Sequence, residues 1–553
     1  MKDYTKKQKI LIILGVAVFI LIGSGLTYAG LMWATSNPIN IGLTSGCFEI
    51  NYTPGGAINN ANVEVMNEST LISNNKFTIT DGIALTYANV GIKSTCTIEG
   101  YGSLYLNVTN LSNAFTTGSS KGSLKYAILN NTSSSTNLTV AGLKGQSFDI
   151  IKTGTITSTG TVNILTKQLS NTSQYKYLIV FYIDGSKIGN DVIGASFAGN
   201  ISADAHQGKL DLAKETLNYL KSLNSTITLA NDTPDFTKVS GNNGGKGDGT
   251  KGIYKAEDDL GTSYYFRGAV DNNYVKFANF YWRIIRINGD GTIRMIYAGT
   301  SAHTNGESET NSYISKTAYN SSYNDNTYVG YMTGSTGATT YASAHSNTNN
   351  STIKGVIDTW YKTNIEDKGY SSYVADAIYC NDRSIANDSA TNTMLTKANS
   401  SWTNTGLGYG TNVTAYGGFK RNWVDRMPSL KCPNNNDKFT KSSTLGNGKL
   451  TYPVALITSD EIAYAGGSAY NYNTSSYIAN TEFYLHTPSY YYWTLTPWAF
   501  AGGNSYVDNW GTSGHLDRDR VYNARGARPA VSLSSVAISG GNGTISNPFT
   551  VGT

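Results

Sequence analysis

The stretch from 279 to 299, NFYWRIIRINGDGTIRMIYAG, decides how the second half of the chain is read. Its residues alternate, so Phe280, Trp282, Ile284 and Arg286 point one way and Tyr281, Arg283, Ile285 and Ile287 the other. Asn288 to Gly291 makes the turn into Thr292 to Tyr297, and the whole is a β-hairpin. Downstream, an N-cap Ser351 followed by Ile353, Val356, Ile357 and Trp360 at helical spacing predicts a helix ending near Gly369. Asn-, Ser- and Thr-rich stretches at 301–350 and 387–415 read as long loops, functional or mobile.

Working back towards the start, residues 40–205 read as an all-β sandwich. Short runs such as FEINY, SLYLNV, LTVAGL and YLIVFYI are separated by Gly, Asn and Ser clusters. Tyr177 to Ile183 is a continuous apolar run meeting a turn at Asp184-Gly185, and a further strand is expected near Ala195 to Ile201. Between the halves, Leu210, Ala213, Leu217, Leu220 and Leu223 share one helix face, and GNNGGKGDGTKG (241–252) reads as a flexible boundary. Residues 206–252 are therefore taken as a helix and Gly-rich linker. The lysines in that linker lack the spacing of a phosphate loop.

With 553 residues, 39% hydrophobic and only 14% charged, the chain is long enough for two or three cores, and its surface is polar rather than charged. The formal charge of +5 comes largely from Lys2, Lys6, Lys7 and Lys9, so the rest is nearly neutral and no nucleic-acid footprint is expected. Those lysines precede an uncharged run, residues 10–33, long enough to cross a bilayer. The positive-inside rule makes 1–9 a cytoplasmic tail and places everything after Ala34 outside. The competing reading is a signal peptide cleaved near Thr27 and Ala29.

Four cysteines, Cys47, Cys96, Cys380 and Cys432, are too few and too scattered for a zinc site. Two disulfides, Cys47 with Cys96 and Cys380 with Cys432, suit an oxidising compartment, and buried free thiols are the alternative. None of the five histidines stands in a metal-ligand spacing, and neither a metal nor a cofactor is expected.

Two resemblances add to this. SFAGNISADAHQ (196–207), after its apolar strand and Asp-Gly turn, resembles the jelly-roll surface proteins of the TasA and camelysin type. LTYPVALITSDEIAYAGG (450–467), YYWTLTP (491–497) and SYVDNWGTSGHLDRDRVYNARGARPAVSL (505–533), with YYFRG and the hairpin, resemble Firmicutes surface domains of the C-type-lectin type. These are akin to formylglycine-generating enzymes and to the variable proteins of diversity-generating retroelements. The resemblance spans about 253–551. It implies an α+β C-type-lectin-like domain at 253–553, in which sheets and a few helices support long loops that bind ligand; with the transmembrane helix and the all-β sandwich read from the residues, a multidomain chain is expected. Neither Glu-Pro-Asn nor Gln-Pro-Asp occurs, and Asp508-Asn509-Trp510 is not the Trp-Asn-Asp order, so a calcium-dependent sugar site does not carry over. Cys380 and Cys432 are the only cysteines there and read as a tether between loops, so the formylglycine-generating activity does not carry over either.

The segment 498–523 concentrates side chains suited to binding: Trp498, Tyr506, Asp508, Trp510, His515, Asp517, Arg518, Asp519, Arg520, Tyr522 and Asn523. Aromatic faces stack on sugar rings or apolar groups, and Asp, Asn and Arg supply directional hydrogen bonds. The competing reading has the aromatics roofing a core and the Asp and Arg residues pairing with one another. Arg528 is expected in a structural ion pair, Tyr490 to Trp493 in a core strand, and Asp460-Glu461 at a helix start rather than as a catalytic acid pair. No nucleophile–base pair or cofactor loop is visible. The expected function is a membrane-anchored adhesin or receptor-like protein of a Gram-positive cell surface, binding an extracellular glycan or protein. The alternatives are an extracellular enzyme and a structural envelope or filament protein.

Overall fold

The structure, a computed structural model, describes residues 48–59, 63–94, 100–169, 174–207, 210–307, 312–535 and 537–552. The apolar run 10–33 and the pairing of Cys47 with Cys96 lie outside the described residues. Among those described, no helix is long and apolar enough to cross a membrane. The chain divides into two compact units, Met1–Leu210 and Asp211–Thr553.

The first unit is built from two sheets. The larger runs in the order Phe48–Pro54, Ala84–Ser94, Gln174–Asp184, Leu124–Asn130, Ser147–Thr155, Lys76–Thr78 and Ile72–Ser73. The smaller runs Gly160–Leu169, Gly100–Leu111, Phe197–Gln207 and Ile58–Asn59. Val90, Ile128, Ile179 and Phe181 of the first meet Leu104, Leu106, Ile164 and Ile201 of the second in one apolar core, which makes this a β-sandwich. On the other face of the large sheet Leu129, Leu178, Val180 and Tyr182 pack with Leu71, Phe77 and Leu143. Strand Gln174–Asp184 is thus covered on both sides, which is why Tyr177 to Ile183 is apolar without alternation. LTVAGL is not a strand. Thr139 Oγ1 accepts from the Gly142 amide at 3.2 Å and starts a helical turn, Val140–Leu143, whose Leu143 plugs the second core.

The second unit has a ten-stranded and a seven-stranded sheet around one core. The expected hairpin is there, Phe280–Ile287 against Ile293–Gly299, but bulges at Tyr281/Trp282 and Ile284/Arg286 interrupt its alternation. Both of its faces are covered, and Arg283 and Arg294 are as buried as Trp282. Ser351 caps helix Thr352–Tyr361 through the Lys354 amide, and the chain continues as a π-helical turn, Lys362–Glu366, before Gly369 at φ 79°. The polar stretch 312–350 is not a loose loop. Tyr319, Val329 and Tyr331 lie in the core, and the buried Asn326 amide donates to the carbonyls of Gly410 and Asn412 at 2.9 and 2.7 Å. Within 387–415 the chain forms helix Ser389–Ala398, capped by Asp388.

From Asp211 on, the segment taken as a helix and linker belongs to this unit, whereas Leu210, expected on the helix face, lies before the helix and donates its amide to Gln168 Oε1 at 2.7 Å. Helix Leu212–Leu223, capped by Asp211, buries Ala213, Leu217 and Leu220 in the large core. In the Gly-rich run, Asp248 meets Arg267 at 2.9 Å, and Arg267 also donates to Thr250 Oγ1 at 2.6 Å and to the Ala463 carbonyl at 2.8 Å. A buried guanidinium that needs these partners pins the glycines down, whatever their intrinsic freedom.

Candidate functional site

The segment singled out as a ligand loop is regular structure. Tyr492–Ala501, Asn504–Trp510 and Leu516–Arg520 form an antiparallel meander, Gly502 and Gly503 making its first turn with φ of 55° and 73°. Strands buried on both faces carry no alternating pattern; the first of them begins with Tyr492 and Trp493, expected in a core strand, and runs on through Pro497 into the supposed loop.

This burial divides the eleven residues. Trp498, Asp508 and Trp510 are wholly inside, and Tyr506 and His515 are buried. Trp498 packs edge-on against Phe419 at 4.8 Å and Trp423 at 5.7 Å; Trp510 packs on Phe483 at 4.8 Å and donates Nε1 to His486 Nδ1 at 3.3 Å. Burial holds His486 down to about 4, so its Nδ1 is free to accept. These tryptophans roof a core, and no ligand can stack on them. Burial lowers His515 as well, while its ring stacks on Tyr477 at 3.9 Å. Asp508 is a carboxyl sealed in the interior, pushed well above the usual range by burial.

What reaches the surface lies on the edge strand and just beyond it. Asp517, Arg518, Asp519 and Asn523 are half-buried, and Arg520 and Tyr522 are exposed. Arg518 lies over the Trp498 and Tyr472 rings at 5.1 and 5.4 Å. Asp519 accepts from Arg525 and Asn523, each at 2.6 Å, and Arg525 covers Tyr491 at 4.7 Å. Arg520 donates to the Tyr506 hydroxyl at 3.4 Å and to that of Tyr522 at 3.0 Å. Tyr522 meets a residue that sequence reading did not single out, Tyr323, edge-on at 4.7 Å, and both rings remain about two-fifths exposed at 37% and 42%. Its only signal was its place in the polar 301–350 stretch. Ser505 donates its amide to the Tyr323 carbonyl at 2.8 Å, which brings that stretch onto the meander. The result is an arginine held between two tyrosine hydroxyls beside an exposed aromatic pair.

A second cluster also escaped sequence reading. Thr458 and Glu461 form a capping box at the start of helix Ser459–Ala465, as the acidic pair led us to expect. The free oxygen of Glu461 then accepts from Arg286 Nε at 3.1 Å and pairs with Arg294 at 3.4 Å, while Arg286 also pairs with Asp258 at 2.7 Å. Burial works to raise the Glu461 carboxyl, but Arg294 and Arg286 hold it below its ordinary value. Beside it Arg421 grips both oxygens of Asp460 at 2.8 and 3.0 Å and pairs with Asp382 at 2.5 Å. These groups line a cavity of about 30 Å³, with Cys380 in its wall. That is room for roughly two waters. Every carboxylate named is engaged by a guanidinium, so the cluster locks the fold together and offers no free acid or base. Arg528 is buried as expected, but it donates to the Tyr297 carbonyl at 3.1 and 3.0 Å and covers the Tyr492 ring rather than pairing with a carboxylate.

The expected disulfide Cys380–Cys432 is formed, with Cα atoms 5.6 Å apart. Among the described residues no group of three or more His, Cys, Asp or Glu side chains could hold a metal ion. No protein-family model and no curated protein matches the chain.

Proposed function

We propose that this is a cell-surface binding protein, an anchored adhesin or receptor-like molecule whose second unit, a C-type-lectin-like head, takes an extracellular glycan or protein ligand. The single observation that carries the reading is the exposed group of Arg520, Tyr522 and Tyr323. Among the described residues Arg520 is held by two phenols and by no carboxylate, so its charge stays available to an acceptor on a ligand. Tyrosine and arginine side by side supply area and directional bonds at low entropic cost, as at interface hot spots. Asp519, Asn523 and Arg525 form the polar rim.

Support for binding over catalysis comes from the carboxylates of the two clusters described above, which are tied in ion pairs or, like Asp508, shut away from solvent. The test is to screen the purified chain against glycan and host-protein arrays and then measure affinity for the hits with Tyr522→Ala and Arg520→Ala. Each is expected to weaken binding about tenfold or more, with the melting temperature unchanged. Hits that neither substitution affects would place the ligand elsewhere.

A further inference from the structure

The second unit has a groove of about 430 Å³ that contains none of the residues just assigned to ligand. Its size falls within the ordinary range for small-ligand sites. It is lined by Tyr341, in the one-turn helix Tyr341–Ala344, by Ser384 and Ile385, and by Asn434, Asn435 and Asn436. Asp437 also lines it, but its carboxylate accepts from the Arg383 side chain at 2.7 Å and from the Arg383 amide at 3.0 Å, and both residues are buried. The lining is therefore neutral: a phenol ring, an aliphatic side chain, a hydroxyl and primary amides.

This lining is held in place. Tyr341 donates its hydroxyl to the Arg383 carbonyl at 2.8 Å and rests its ring on His345 at 4.5 Å. His345 is itself fixed through Nε2 on the Gly408 carbonyl at 2.8 Å, and burial, with Arg383 nearby, pushes it down to about 3, so it stays uncharged. Gly408, at φ 70°, leaves no room for a side chain: a Cβ would fall 2.7 Å from Tyr341 and 3.2 Å from Ile385. The two apolar elements of the groove are thus set against one glycine.

Unused hydrogen-bonding capacity lies between them. The Asn436 amide is engaged, donating to the His345 carbonyl at 2.8 Å and accepting from Asn347 at 3.0 Å. The Asn435 amide and the Ser384 hydroxyl have no partner among the described residues, and Asn435 and Ile385 are exposed. An amide supplies two donors and an acceptor, and a hydroxyl supplies both roles, which suits a ligand that is itself both donor and acceptor at every edge.

We propose that this groove binds a short neutral oligosaccharide carrying N-acetyl groups. The C–H face of a pyranose ring stacks on Tyr341, ring hydroxyls bond Asn435 and Ser384, and the acetamido methyl rests on Ile385. A charged polymer finds no counter-charge here. An extended peptide would add to the edge strand Ile385–Ala386, which at two residues offers too few backbone bonds to hold it. The proposal does not rest on the ligand face described above.

The test is calorimetric titration of the purified chain with chitotriose and with maltotriose. Chitotriose should bind, and maltotriose, which lacks the acetamido groups, should bind at least tenfold more weakly. Asn435→Trp fills the groove from an exposed position and should abolish chitotriose binding without moving the melting temperature; Tyr341→Ala should weaken it at least tenfold. Absence of chitotriose binding at millimolar concentration, or binding that Asn435→Trp leaves intact, would overturn the proposal. Equal affinity for maltotriose would overturn the acetamido assignment, and displacement of chitotriose by a blocked neutral tripeptide would overturn the carbohydrate class.

Discussion

The indole Nε1 of Trp423 donates to Asp508 Oδ1 at 3.1 Å, and neither residue retains meaningful contact with solvent. Asp508 Oδ2 has no hydrogen-bond partner among the described residues. Burial, with Asp460 and Asp517 adding like charge, raises its pKa far above that of the unfolded chain. The folded state therefore holds a proton that the unfolded state releases. This contribution to stability is complete below the unfolded pKa, about 3.9, and declines as pH rises towards the folded value, by about 1.4 kcal/mol per pH unit. Asp508→Asn keeps the acceptor for Trp423 and removes the proton linkage. The variant is expected to melt higher than the parent at pH 7, with the difference shrinking as pH falls towards 4.

Trp510→Ala should behave as a core truncation. Its ring is wholly buried against Phe483, and its Nε1 bonds His486. A loss of about 3–5 kcal/mol in urea unfolding is expected. A variant that kept its stability and lost only ligand affinity would contradict the burial.

Replacing Cys380 and Cys432 together by Ser opens a loop of 52 residues. Chain-entropy reasoning gives a loss of about 4 kcal/mol. Because both cysteines lie in the second unit, its thermal transition should fall while that of the sandwich stays where it was; a common shift of both transitions would contradict this.

Asp248→Ala leaves the Arg267 guanidinium buried without its carboxylate. Breaking such a pair costs about 3–5 kcal/mol, whereas a substitution in a free linker costs almost nothing. Limited trypsin digestion gives the same answer: Lys246 and Lys251 should resist cleavage in the parent and become sensitive in the variant.

Much of the architecture was legible because local chemistry and tertiary packing agree. Ser351 and Thr458 cap the helices they precede, and the hairpin around Asn288 to Gly291 forms where its turn residues stand. Where burial is two-sided the pattern vanishes. YWTLTPWAFA is buried at every position: Tyr492 and Trp493 are expected in a core strand, but from Trp498 on nothing in the order separates a strand from an aromatic loop. The interior arginines leave no pattern either. Arg267, Arg283, Arg286, Arg294 and Arg383 are interior residues whose carboxylate, carbonyl and amide partners come from distant parts of the chain, and no spacing rule announces them. Of the candidate ligand residues, Arg520 and Tyr522 keep the exposure the role needs, and Tyr323 joins them only through the fold.

Strand Leu516–Arg520 pairs along its length with Asn504–Trp510; on its other side Leu516 donates to the Ser468 carbonyl at 2.9 Å and accepts from the Tyr470 amide at 3.3 Å, and beyond Leu516 no second strand joins it among the described residues. A free strand side is a template on which a second molecule can add its own strand, the first step towards aggregation. The stretch beyond Leu516 carries Asp517, Arg518, Asp519 and Arg520 in succession, four charges in a row. Consecutive charges on such a strand make it costly for a second copy to zip on, so any partner that pairs along it must tolerate them.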